Sequence, residues 1–79
     1  MMRQREFRVI VTFSTTTDAM AMESYCRSHD VAGRLIPVPS EISAGCGMCW
    51  SAPSSRRGSV CSAVKEAQLR CEGVYEMLI

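Results

Sequence analysis

Apolar and polar residues alternate from Phe7 to Phe13, with Phe7, Val9, Val11 and Phe13 on one side and Arg8, Ile10 and Thr12 on the other. A period of two predicts a β-strand with one strongly buried face. The hydroxyl run Ser14, Thr15, Thr16 and Thr17 breaks the alternation, and such residues favour a helix N-cap because their oxygens accept from free backbone N–H groups. Asp18 suits the positive end of the helix dipole that follows. From about Thr17 to His29, the residues Ala19, Met22, Cys26 and His29 recur at spacings of three and four, which marks one helical face flanked by Met20 and Tyr25. The methionines read as core filler rather than a cofactor stripe. His29, the only histidine, reads as a last-turn residue held by the negative helix end.

Gly33 to Val38 predicts a second strand, with Pro37 inside it and Pro39 just beyond. Proline donates no ladder hydrogen bond, so this strand belongs at a sheet edge. Ser40 to Gly47 form a long connection, and Met48 to Ala52 a third strand with Met48, Trp50 and Ala52 turned toward the helices. Pro53, Ser54 and Ser55 announce a second helix with a serine cap. It runs to about Arg70, with Val60, Val64, Ala67 and Cys71 at spacings of four, three and four, and with Arg56 and Arg57 as a solvated pair at its start. Glu72 and Gly73 turn the chain into a last strand, Val74 to Ile79.

The order β-α-β-β-α-β predicts an α+β fold over residues 1–79 as one domain: a two-layer sandwich of ferredoxin-like type, with a four-stranded sheet and two helices on one face. The other face would then carry Ile10 and Thr12 with Cys49, Val74 and Leu78, an apolar patch suited to a weak homodimer.

Composition narrows the function classes. With 79 residues, 47% hydrophobic, 22% charged and a net charge of +1, the chain is a globular protein with little stability to spare. It has neither the basic excess expected for nucleic acid nor that expected for an anionic membrane surface. The apolar run Val9 to Val11 is too short for a signal peptide, so a cytoplasmic location is expected. The five cysteines then stay reduced, and their odd number argues against a complete disulfide framework.

Cys46 is the residue that most needs explaining. Gly45 and Gly47 flank it in the stretch Leu35 to Trp50, L-I-P-V-P-S-E-I-S-A-G-C-G-M-C-W, which allows positive φ on either side and close approach to the sulfur. Two readings stand: a functional exposed thiol, or a small hydrophobe in a turn. In the predicted topology the first two strands run toward the same end of the sheet. Ser14 to Thr17, the Cys46 loop, Cys71 and Gly73 all gather there, and the N-terminus of the first helix favours an anion, hence the reactive thiolate.

The segment R-L-I-P-V-P-S-E-I-S-A-G-C-G-M from Arg34 to Met48 resembles the Putative Se/S carrier protein-like family, with its strand-ending proline pair, serine-containing turn and C-G step into an apolar strand. The likeness extends to F-S-T-T-T-D-A-M from Phe13 to Met20 and to E-G-V-Y-E from Glu72 to Glu76. It implies that Cys46, followed by Gly47, holds sulfur or selenium. Around it Ser43, Gly45, Gly47 and Cys49 read as a supporting loop, and the helix start at Ser14, Thr15, Thr16 and Thr17 reads as the group that stabilises an anion. Two positions differ from the family pattern. Ser40 stands where a basic residue is frequent, and Cys49 where a small apolar residue is more usual.

Other cysteine chemistries fit less well. Cys46-Gly47-Met48-Cys49 is formally C-x-x-C, but its second cysteine enters a strand instead of a helix, which disfavours dithiol redox work. Zinc would need Cys46, Cys49, Cys61 and Cys71 to converge, and only one knuckle spacing exists; Cys26 and Cys61 suit helix packing. A copper-type pair would sit in the first strand-to-helix loop, which has no cysteine. A hydrolase needs a base beside the thiol, and His29 falls at the far end of the first helix. A sulfur carrier needs only an accessible thiolate, without cofactor or metal. The leading expectation is therefore a carrier rather than a turnover enzyme, receiving sulfur or selenium from a donor enzyme and passing it to an acceptor protein. The alternative is a regulatory or interaction module that binds a small anion or a protein, with no thiol chemistry.

Overall fold

Val9, Ile10 and Val11 are wholly shielded from solvent because their strand, β1 (Phe7–Thr12), has a strand on each side and packing on both faces. The computed structural model describes residues 6–42 and 45–78. The elements that follow are α1 (Thr16–Ser28), β2 (Arg34–Pro37), β3 (Met48–Pro53), a 3-10 turn (Ser54–Arg56), α2 (Arg57–Glu66) and β4 (Gly73–Leu78). The strands form one four-stranded sheet in the order β2-β3-β1-β4, with every neighbouring pair antiparallel. This is an α+β arrangement with two helices. Because β1 and β2 both run antiparallel to β3, they point the same way, and the chain returns between them through α1. The C-terminal ends of β1 and β2 therefore share one end of the sheet with the N-terminal ends of β3 and β4.

Both helices pack on one face. Val9, Val11 and Phe13 from the β1 segment meet Ala19, Met22 and Cys26 from α1, Trp50 and Ala52 from β3, and Val60 and Ala63 from α2 in one buried cluster. Each large apolar side chain buried there contributes about 1.5–3 kcal/mol, which a chain this small needs to offset its ordering entropy. The spacing in α1 predicted three of its four inward positions. His29 instead is exposed; it caps the helix C-terminus with its backbone N–H on the Tyr25 carbonyl, and its ring stacks on that of Tyr25 at 3.9 Å between centroids.

The edge position expected for β2 is observed: the strand pairs with β3 alone. Four expectations need correction. First, β1 is buried on both faces, as a central strand must be, so the alternation understated its burial. Second, no serine side chain caps the second helix: the chain enters it through the 3-10 turn, and Ser54 Oγ is buried without a hydrogen-bond partner. That helix also ends at Glu66 rather than near Arg70, because Gln68 adopts φ 52° and the Leu69 N–H reaches back to the Val64 carbonyl at 3.0 Å, turning Leu69 onto the core. Third, Arg57 is not simply solvated but forms an ion pair with Glu76 at 2.5 Å.

The fourth correction concerns the far side of the sheet. Val74 pairs with Val11 and Leu78 with Phe7, so both lie on the helix side; Tyr75 and Met77, opposite Ile10 and Arg8, lie on the other. On that other side Ile10, Thr12, Cys49 and Ser51 are all buried, and the Arg8 guanidinium lies over Ser51, donating from Nε to its Oγ at 2.6 Å. Of the five residues expected to form a patch there, Ile10, Thr12 and Cys49 are buried and Val74 and Leu78 lie on the helix side.

Gly33 makes a close approach that no other residue permits. At φ +122°, a Cβ built on it would fall 2.4 Å from Trp50 Nε1 and 2.6 Å from the Ser51 carbonyl, while the indole N–H itself donates to the Ala32 carbonyl at 3.1 Å. Gly33→Ala should therefore destabilise the protein by about 1–3 kcal/mol, from overpacking added to a strained φ. Denaturant unfolding followed by fluorescence of Trp50, the only tryptophan, would measure this.

Candidate functional site around Cys46

The β1–β3 register ends at Thr12↔Cys49, because Phe13 leaves the sheet to bury its ring in the core. Met48 is thus the first residue of β3 without a β1 partner. It pairs with Pro37 of β2 as a non-hydrogen-bonded pair, since Val38 N–H bonds the Gly47 carbonyl, so the N–H and C=O of Met48 both point to the side that β1 leaves vacant. The sulfur of Cys46 takes up the position: Met48 N–H donates to Cys46 Sγ at 3.4 Å, and the thiol can donate to the Met48 carbonyl at 3.3 Å. The N–H contact satisfies the sulfur when it is an anion, the carbonyl contact when it is a thiol. Cys46 is half-buried, resting against the core cluster with one side open.

The two flanking glycines have different tasks. Gly47 has φ +78° and open space where a side chain would be, so it serves the backbone turn. Gly45 serves contact, since a Cβ there would lie 3.0 Å from the Ser14 carbonyl oxygen and 3.6 Å from its Cα. That contact sets the Cys46 loop against the segment that starts α1. The loop is closed at its base by Val38 N–H on the Gly47 carbonyl at 3.0 Å, and it carries a turn in which Ile42 N–H donates to the Pro39 carbonyl at 3.0 Å.

Within the hydroxyl run, Thr15 is the N-cap, its Oγ1 accepting from Asp18 N–H at 3.1 Å. Ser14, Thr16 and Thr17 are exposed, and none of the four hydroxyls bonds to Cys46. Ser43 lies outside the described residues. Gly73 comes to the same end of the sheet through its pairing with Thr12, whose carbonyl also accepts from Glu72 N–H at 2.6 Å.

The other four cysteines differ sharply from Cys46. Cys49 is fully buried on the sheet face away from the helices, paired with Thr12 and Ile36, and burial pushes its thiol up to about 11, helped by repulsion from Cys46. Burial likewise raises Cys26 to about 11. Cys61 and Cys71 are exposed, and Cys71 is shifted upward by desolvation and then by the nearby Cys61. Among the described residues, no three His, Cys, Asp or Glu side chains assemble as a metal-binding group. Sequence reading missed the sulfur's contact with the Met48 backbone. No residue type signalled it, because it depends on β1 pairing with β3 only as far as Thr12↔Cys49.

The family model for Putative Se/S carrier protein-like matches residues 8–76. The chain belongs to this family. The match covers both helices, β2, β3 and most of β1 and β4, and it includes the Cys46 loop. No curated protein and no solved structure gives a significant match.

The two buried thiols set a pH dependence. A thiol whose pKa is raised by folding from 9.0 to about 11, as for Cys26 and Cys49, favours the folded state fully below about pH 9, where both states keep the proton. Above that the unfolded chain holds fewer protons than the folded one, and stability falls until the folded thiols themselves ionise near 11. Denaturation midpoints measured from pH 8 upward should drop across this window, and Cys49→Ala should make the drop shallower.

Proposed function

We propose that this protein is a sulfur or selenium carrier that holds its cargo on Cys46 and passes it between a donor enzyme and an acceptor protein. The observation that carries the reading is the setting of Cys46 Sγ: a half-buried loop sulfur, open on one side, with a backbone N–H to receive its negative charge. Membership of the Se/S carrier family supports the class of chemistry. With it we read the β2-β3-β1-β4 sheet and its helices as a ferredoxin-like scaffold.

The transfer requires no oxidant and no metal. The Cys46 thiolate attacks the outer sulfur of a donor cysteine persulfide; a new S–S bond forms at Cys46, the donor's S–S bond breaks, and the donor leaves as a thiolate. An acceptor thiolate then attacks the outer sulfur on Cys46 in the same way, which returns Cys46 to the thiolate. Sulfane sulfur moves in both steps with no net redox change, and selenium carried as the selenium analogue follows the same course. Free thiols persist in a reducing compartment, so the cytoplasm is the setting this reading implies. The remaining requirement is that no thiol of the same chain displaces the cargo. Cys49 meets it, being buried on the opposite face and held protonated by desolvation.

Loading from a cysteine-desulfurase-type donor, read by intact mass, tests this mechanism. Cys46→Ala should abolish the added sulfur while changing stability by no more than about 1 kcal/mol, as for a loop side chain. Cys49→Ala should still load. Loading that survives Cys46→Ala, or that needs both cysteines and ends in an internal disulfide, would contradict the carrier mechanism. A chain that never loads but binds a small anion or a protein would favour an interaction module.

A further inference from the structure

The sheet has two edges of different character. The β2 edge is four residues long, contains Pro37, is followed by Pro39 and begins with Arg34, all features that discourage another strand from adding there. The β4 edge is six residues long and has neither proline nor lysine. Within the helix layer α1 lies over β2 and β3 and α2 against β3 and α1, while the Arg57 side chain at the start of α2 reaches β4 and leaves an apolar strip there partly exposed. On that strip Phe7 is 61% exposed, Val74 40% and Leu78 46%. Phe7 and Leu78 are direct cross-strand neighbours at one end of the strip, and Val74 lies at the other with Glu76 between them.

We infer that two copies of this chain associate edge to edge through β4, antiparallel about a two-fold axis, to form one continuous sheet with the helices of both copies on the same side. Charge and side-chain order favour a second copy over an unrelated strand. With the axis at Glu76, Val74 of one copy faces Leu78 of the other, and apolar groups meet at both ends of the junction. Glu76 then faces its own equivalent, a repulsion that alone would forbid this register. Each Glu76 already carries Arg57 at 2.5 Å, so the axis holds two acids and two guanidiniums and is neutral. An isologous interface needs a patch that complements itself, and this strip does so in both apolarity and charge. Antiparallel pairing sends the two Cys46 loops to opposite ends of the joined sheet, leaving each open to its partners.

Sedimentation equilibrium of the full chain in reductant, from micromolar to millimolar concentration, should show a reversible monomer–dimer equilibrium. Val74→Lys and Leu78→Lys should each weaken it by roughly tenfold or more, since every dimer loses the contact twice. Arg57→Glu should weaken it by leaving four acids at the axis, and Arg57→Glu combined with Glu76→Arg should recover it; these exposed changes keep the test valid if a strand variant fails to fold. Met20→Lys, on an exposed turn of α1, should have no effect. A monomer at every concentration overturns the inference, as does a dimer that the β4 and charge variants leave intact or that Met20→Lys disrupts instead.

Discussion

The structure depends on β1 being hydrogen-bonded along both edges and covered on both faces. β3 shares this position only over the few residues that short β2 reaches, and β2 and β4 are themselves edges. A central strand fixes which residues can be core, since a slip by one residue would exchange Val9 and Val11 for Ile10 and Thr12. It also fixes where the sheet ends. Phe13 turns inward, β1 stops at Thr12, and the backbone of Met48 is left for the sulfur of Cys46. The site is therefore a consequence of where the core strand terminates. The loop that carries the sulfur is seated by Gly45 against Ser14, at the head of α1.

This dependence explains why one thiol of five stands apart from the rest. Cys26 and Cys49 are part of the packing, and ionising either would cost the desolvation that raises both to about 11. Cys61 and Cys71 are exposed but lie on α2 and the segment before β4, outside the glycine-flanked turn. Cys46 alone combines partial access with a backbone donor. The separation of Cys46 from Cys49 follows from the strand: the first belongs to the turn, and the second already points through the sheet to the other face.

Much of this was legible in the chain because it rests on local rules. The threonine cap before Asp18 and the proline in β2 each act within a few residues and appear in the fold as read, while the alternation in Phe7–Phe13 gave the strand but not its burial on both faces. What was not legible depends on partners distant in sequence. In β4 both parities carry apolar residues, so its register against β1, and hence the face of Val74 and Leu78, had no signal in the sequence. Ala67, Gln68 and Leu69 are sound helix formers, yet the helix stops before them because Leu69 is needed in the core. Gly45 and Gly47 look equivalent until one is found against Ser14 and the other at positive φ. The role of Cys46 was suggested by its glycines and by family likeness, while its hydrogen bond to Met48 required the register.

The central claim is that Cys46, and no other cysteine, carries the cargo atom in the protein as it exists. Peptide-mapped mass spectrometry of the chain isolated without reductant tests this most directly. The account predicts an added sulfur or selenium atom on the peptide containing Cys46, removable by a thiol, with Cys26 and Cys49 unmodified. An adduct confined to another cysteine, or a Cys46–Cys49 disulfide in place of the adduct, would contradict it.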